Sequence, residues 1–284
     1  MKSVTMGRYY ASDSVIHHLD PRGKIVLSIL FIVMTFLCRN VASFAFMILC
    51  VLALAVLSRV PLRVILRSLK GVTVVIAFAA ILNLFLTSTE NAHMLWQIGE
   101  WNGRVYGITQ EGIIKAVCMV IRIIVLIIGT TLLLTYTMTP IELTDGLSRL
   151  LWPLLKIHVP VDLFAMMMSI ALRFIPTLSE DTERIMNAQK ARGANFTEGG
   201  LIRKARALIP ILIPLFVSSF KRGEELAVAM ECRGYHSGDD RTRLNELHWK
   251  TRDTLALILF VICGAAVVLI NVFGAYVPFL PSIR

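Results

Sequence analysis

Charge is scarce in this chain. Asp, Glu, Lys and Arg make up only 17% of its 284 residues, while 56% are hydrophobic. With a mean hydropathy of +0.70, this excludes an ordinary soluble domain, whose polar surface must cover an apolar core. Cysteine pairing is missing as well. Cys38, Cys50, Cys118, Cys232 and Cys263 form no Cys-x-x-Cys motif, and four of the five lie in or beside apolar runs. They read as packing residues, not as disulfides or metal ligands. His17-His18 with Asp20 lacks the i, i+4 spacing of a helical metal site, so no metal is expected. No Gly-x-x-x-x-Gly-Lys-Ser/Thr loop occurs, and the chain is not expected to hydrolyse ATP. The carboxylates are scattered, with Glu180-Asp181 and Glu183 reading as a solvated helix segment. That weighs against an integral-membrane enzyme. The apolar runs do not alternate, which argues against a β-barrel.

What is present is a series of runs near bilayer length. The reading is an all-α polytopic membrane protein with about five transmembrane helices plus long cytoplasmic-side coupling helices. Asp20-Pro21 is a strong helix start, with Asp as N-cap and Pro at the first helical position. The first span then runs to about Cys38, and it carries no small-residue cleavage site, so it is expected to stay in the membrane. Further spans are expected over Val41–Leu57, Gly71–Thr87, Val120–Tyr136 and Leu255–Phe273. Ser88–Glu111 reads as a loop. Lys115 and Arg122 are expected to snorkel to the outer interface. Pro140–Leu151 reads as a short amphipathic helix capped by Thr139.

Net charge is +10, and its distribution orients the chain rather than marking a nucleic-acid binder. Residues 1–24, 59–70 and 137–253 hold 4, 4 and 16 of the 29 Lys and Arg residues. All three segments are therefore expected in the cytoplasm, with the N-terminus there too. Val161–Leu178 is apolar enough to cross, but crossing would export the six basic residues of 179–206. Asp162 and Arg173 add to that cost. The expected organisation is 1–136 with four spans, 137–253 as a cytoplasmic coupling domain, and 254–284 as the last span and tail.

Within the coupling region one short signature occurs twice. The first copy is Ala191-Arg192-Gly193 and the second is Cys232-Arg233-Gly234, 41 residues later. Each closes a helix that Pro176, or Pro210 and Pro214, is expected to break. A helix ending in Gly with a basic last turn is a common cap. Two copies, each with a small residue before the arginine, also suit docking. A small residue admits a partner backbone, and a guanidinium fork pairs with carboxylates or helix-end carbonyls.

Ala191-Arg192-Gly193, Ala229-Met230-Glu231-Cys232-Arg233-Gly234-Tyr235 and Arg241-Thr242-Arg243 resemble the paired signature of the transmembrane T component of energy-coupling factor (ECF) transporters. Leu19-Asp20-Pro21-Arg22 resembles that family's opening, and the likeness covers nearly the whole chain. Cys232 departs from the family's alanine but is also small. The resemblance implies a non-catalytic scaffold of an ABC transporter complex in the cell membrane. Its expected partners are the lipid bilayer, two ABC-type ATPases and a membrane-embedded substrate-binding S component for a vitamin or similar micronutrient. ATP and Mg would sit on the ATPases, with no cofactor on this chain. Arg192 and Arg233 would dock on the two ATPases. Phe164, Met166, Met167, Met168, Leu172, Ile211 and Leu215 are candidates for the S-component contact, because methionine-rich faces adapt to partners. An ordinary buried face is the alternative. A stand-alone permease is the rival at the level of function, but it would need polar groups or broken helices at mid-membrane.

Overall fold

The computed structural model describes residues 10, 12–86, 94–101, 104–194, 196, 200–235 and 247–276. These residues form two compact units. One comprises residues 7–149 with 247–284, and the other contains 150–246. The boundaries fall inside the 137–253 region read from the sequence, because the helix after Thr139 and the turn before the last span belong with the first unit.

In the first unit, α1 (Pro21–Leu37) is central and packs on α5 (Gln110–Thr130) and α9 (Thr251–Tyr276). α2 (Val41–Ser58) packs on the same two helices. Phe31, Met34 and Cys38 of the α1 segment, Phe44, Met47 and Val51 of α2, Cys118 and Val125 of α5 and Val267 of α9 form one buried cluster. α1 and α5 come close because position 129 is glycine: a Cβ there would lie 2.2 Å from the Phe31 ring. A π-turn, Thr131–Thr135, ends α5 and places Tyr136, whose hydroxyl donates to the Val64 carbonyl at 3.0 Å.

α1 starts as its sequence dictates. The Asp20 carboxylate accepts the Arg22 N–H at 2.9 Å, and Pro21 takes the first helical position. The same residue is held from far along the chain. Buried Asp253 accepts the Asp20 N–H at 2.7 Å and the Lys250 N–H at 2.8 Å, tying the starts of α1 and α9 together. Lys24, 1% exposed, donates to the His17 and Thr137 carbonyls, each at 2.9 Å. α6 (Pro140–Leu150) opens with a reciprocal cap: the Thr139 N–H donates to Glu142 and the Glu142 N–H to the Thr139 hydroxyl.

Several expectations change. Arg122 lies inside α5, donates to the Cys38 carbonyl at 2.9 Å and lies 5.3 Å from the Phe44 ring centroid, so its guanidinium has partners within the chain. Asn271 of α9 works on the same turn, accepting from Ser43 and donating to the Leu37 carbonyl. The protein supplies partners that lipid could not. α3 (Leu62–Lys70) and α4 (Thr73–Leu86) form a pair bent by 61°, which together are long and apolar enough for one span. Within the expected loop lies an antiparallel hairpin, β1 (Met94–Trp101) with β2 (Arg104–Thr109), pairing Met94 with Thr109 and Trp101 with Arg104. Elsewhere the described elements are helical.

The second unit holds α7 (Val161–Ala191) and α8 (Leu201–Cys232). Neither breaks at its prolines. Pro176 lies inside continuous α7, and Pro210 and Pro214 inside continuous α8. Each proline removes one backbone N–H, but a helix of more than thirty residues keeps its remaining bonds on both sides. Among the described residues four helices, or five counting the bent pair, are long and apolar enough to cross a membrane, and α7 is one of them. The number agrees with the sequence reading, but the membership differs. α1, expected as the first span, has 17 residues and is not among them.

Candidate functional site

Both signature copies fold into the same backbone device. In α7, the Gly193 N–H donates to the Lys190 carbonyl and the Ala194 N–H to the Gln189 carbonyl, each at 3.0 Å. In α8, Gly234 donates to Glu231 at 2.9 Å and Tyr235 to Met230 at 3.0 Å. These are the paired bonds of a Schellman cap, with glycine in the left-handed region at φ +88° and +70°. A side chain there would clash with its own carbonyl, so the position calls for glycine. Arg192 (φ −86°, ψ 7°) and Arg233 (φ −88°, ψ 8°) are the cap residues themselves. Both arginines are exposed, as are Ala191 and Cys232 before them and the two glycines after them. The cap organises the backbone with main-chain bonds alone and leaves the guanidinium fork facing outward. Arg241-Thr242-Arg243 lies outside the described residues.

The two tips point apart because α7 and α8 run antiparallel. Asp181 of α7 and Arg222 of α8 form an ion pair at 2.5 Å, with the side chains only 15% and 31% exposed. Beyond the end of α8, the Tyr235 hydroxyl donates to the Met166 sulfur at 2.7 Å, near the start of α7. The Arg233 tip thus lies beside the first turns of α7, and the Arg192 tip lies at the far end of that helix. At 1.5 Å per residue the two are roughly 40 Å apart. Sequence reasoning missed the clamp, because it assigned Asp181 to a solvated segment. Nothing local marks the partner, which is 41 residues away.

The candidate partner-contact residues are divided by the fold. Phe164, Met167 and Met168 are exposed, at 56%, 51% and 37%. Met166, Leu172 and Leu215 are half-buried. Ile211 is 3% exposed, so its side chain is spent inside this chain and does not offer a surface. The larger bare stripe is on α8: Ile209, Leu212, Ile213, Phe216, Val217 and Phe220 are all at least 48% exposed. Their i, i+3, i+4, i+7 spacing was visible in the sequence and marks one helix face. Among the described residues no group of three His, Cys, Asp or Glu side chains could hold a metal ion.

Helices long and apolar enough to cross a bilayer, and a helix pair with outward arginines at its opposite tips, define a polytopic α-helical membrane protein. Comparison with known proteins gives the family. Residues 12–244 match the CbiQ family, described as cobalt transport protein. The chain is 46% identical to the energy-coupling factor transporter transmembrane protein EcfT of Brevibacillus brevis over 92% of this chain and 96% of that relative. It is 45% identical to the EcfT of Clostridium kluyveri, over 93% and 96%, and 42% identical to that of Bacillus subtilis, over 93% and 97%. The chain belongs to the EcfT family, the transmembrane proteins of energy-coupling factor transporters.

Proposed function

We propose that this chain is the scaffold and transducer of an ECF-type ABC importer. It couples ATP binding and hydrolysis on two ATPase subunits to micronutrient uptake through a membrane-embedded S component. The observation that carries this reading is the duplicated tip: two caps with the same hydrogen-bond pattern and closely similar dihedrals, each presenting an exposed arginine, at opposite ends of one antiparallel pair. Two equivalent plugs at a fixed separation suit two equivalent sockets. A relative movement of the sockets would then be transmitted along α7 and α8. ATP and Mg belong to the ATPases, and cargo recognition belongs to the S component, so this chain needs neither cofactor nor catalytic residue. The bare apolar stripe of α8, with Phe164, Met167 and Met168 of α7, is the surface offered to the S component. The N-terminus and the Arg192 and Arg233 tips share the cytoplasmic side, as the distribution of basic residues favours.

The test is substrate uptake alongside ATPase copurification. Each guanidinium fork should contribute about 1.5–3 kcal/mol through charge-assisted hydrogen bonds. Arg192→Ala or Arg233→Ala alone should impair uptake. The double variant should nearly abolish uptake and release the ATPases, while S-component binding and protein level stay near normal. Arg→Lys should rescue poorly, since an ammonium lacks the fork. Normal uptake with ATPases still bound in the double variant would reduce the tips to helix caps and overturn the proposal.

A further inference from the structure

Away from the tips, the first unit carries a second basic feature. A cavity of about 530 Å³ opens where α2 ends and α9 begins, lined by Asp13, Ser14, Val15, His18, Val56, Leu57, Arg59 and Arg252. Arg59 and Arg252 are both exposed. The Asp13 carboxylate accepts a hydrogen bond from His18 at 2.6 Å, so the mouth holds two guanidinium groups against one carboxylate and stays net positive. Arg59 is also held unusually. It closes α2 in the left-handed conformation, at φ 54° and ψ 25°, which disfavours any residue with a side chain. Glycine or asparagine would cap the helix with less strain. Here the arginine side chain crosses to donate to the Asp13 carbonyl at 3.3 Å and so borders the cavity.

Below this charged mouth the wall is apolar and bare. The Cys50 and Cys263 thiols meet where α2 packs on α9. Counting 100° per residue from that line, Leu49, Ala53, Val56 and Leu57 fall on one flank of α2. Leu255, Leu259 and Ile262 fall on the corresponding flank of α9. The helices are antiparallel, since the end of α2 meets the start of α9, so both flanks open onto one groove. The opposite flank is filled by α1 and the core cluster containing Met47, Val51 and Val267. The open flank stays uncovered: Leu49, Val56, Leu255, Leu259 and Ile262 are 54–76% exposed.

We propose that this groove binds an anionic phospholipid, with the phosphate held by Arg59 and Arg252 and an acyl chain lying between α2 and α9. The charge and depth pattern selects this occupant. Two arginines sit at the adjoining ends of α2 and α9, and the exposed apolar flank of both helices continues from them. Basic pockets between spans that continue into apolar grooves match lipid headgroups joined to chains. A protein partner would not need the charges and the channel in that order.

Native mass spectrometry of the full-length protein tests this, with phosphatidylglycerol and phosphatidylcholine as separate probes and inorganic phosphate as a third. Wild type should retain phosphatidylglycerol in preference to phosphatidylcholine. Arg59→Gln and Arg252→Gln should each lower retention about fivefold, the equivalent of about 1 kcal/mol per basic residue. Leu259→Trp, which fills the channel and leaves both charges, should lower it as well. Arg39→Gln, outside the groove, should change nothing. Equal retention of the two lipids, or unchanged retention in the double Gln variant, would overturn the proposal. So would an equal loss in Arg39→Gln, which would mean diffuse attraction only. Saturable binding of inorganic phosphate that survives Leu259→Trp would replace the lipid site with a simple anion pocket. A photoreactive side chain at Val56 should crosslink to lipid. Crosslinking to a copurifying protein instead would also refute the assignment.

Discussion

Replacing Asp181 with Asn removes one partner of the ion pair that joins α7 to α8. The expected loss follows from the geometry. Fully exposed pairs are worth about 0.2–1 kcal/mol, whereas breaking a buried pair costs about 3–5 kcal/mol. Side-chain exposures of 15% and 31% at a separation of 2.5 Å put this pair between those limits, at about 1–2 kcal/mol of coupling. Asp181 Oδ2 and a second guanidinium nitrogen of Arg222 are buried without a hydrogen-bond partner among the described residues, so the attraction between the two groups is coulombic and no other partner replaces it when either is removed. Among the described residues of these two helices, the buried hydrophobic ones are Val161 and Ala165 of α7 and Ile211 of α8, so little apolar burial offsets the loss. The assay is a double-mutant cycle of Asp181→Asn and Arg222→Gln, read by limited proteolysis of the helix pair in native membranes. Where opening is fast relative to cleavage, the rate tracks the open population, and each single variant should be cleaved about 5–30 times faster. The double variant should be little worse than either single, and the exchanged pair Asp181→Arg with Arg222→Asp should recover part of the loss. Strict additivity, within about 0.3 kcal/mol, would mean that the two side chains do not stabilise each other and would refute the clamp. If the tips act as proposed, Asp181→Asn should also slow uptake with both ATPases still bound.

Three further outcomes are expected. Gly129→Ala should disrupt the α1–α5 contact, because its methyl would overlap the Phe31 ring; overpacking of this kind costs about 1–3 kcal/mol or more, and adding Phe31→Leu should restore part of the expression level. Asp253→Ala leaves the buried Asp20 N–H without its acceptor and should cost about 1–3 kcal/mol, seen as a lower melting temperature in detergent, with Asp253→Asn milder because it keeps an oxygen. Gly193→Ala and Gly234→Ala should each cost about 1–2 kcal/mol for holding alanine in the left-handed region, seen as faster amide hydrogen exchange over the last turn of α7 or α8 with exchange elsewhere unchanged.

What the sequence determined by itself was local. Spans are legible because transfer into lipid sums along a run and needs no partner. The Asp20-Pro21 start, the Thr139–Glu142 cap and the two Arg-Gly ends were legible because each closes within a few residues through its own hydrogen bonds. The hairpin passed as a loop because the alternation of apolar and polar residues along Met94–Trp101 and Arg104–Thr109 is weak. Proline misled, since it marks a missing N–H, and a long helix can absorb that loss. The tertiary structure alone decided which distant groups meet. Asp253 reaches the Asp20 N–H across 233 positions, Arg122 reaches the Cys38 carbonyl across 84, and Asp181 reaches Arg222. Identical local caps fixed the two arginine tips. Their placement at opposite ends of a pair depends on antiparallel packing, and no short stretch of sequence encodes that, because the contacts creating it join residues far apart in the chain.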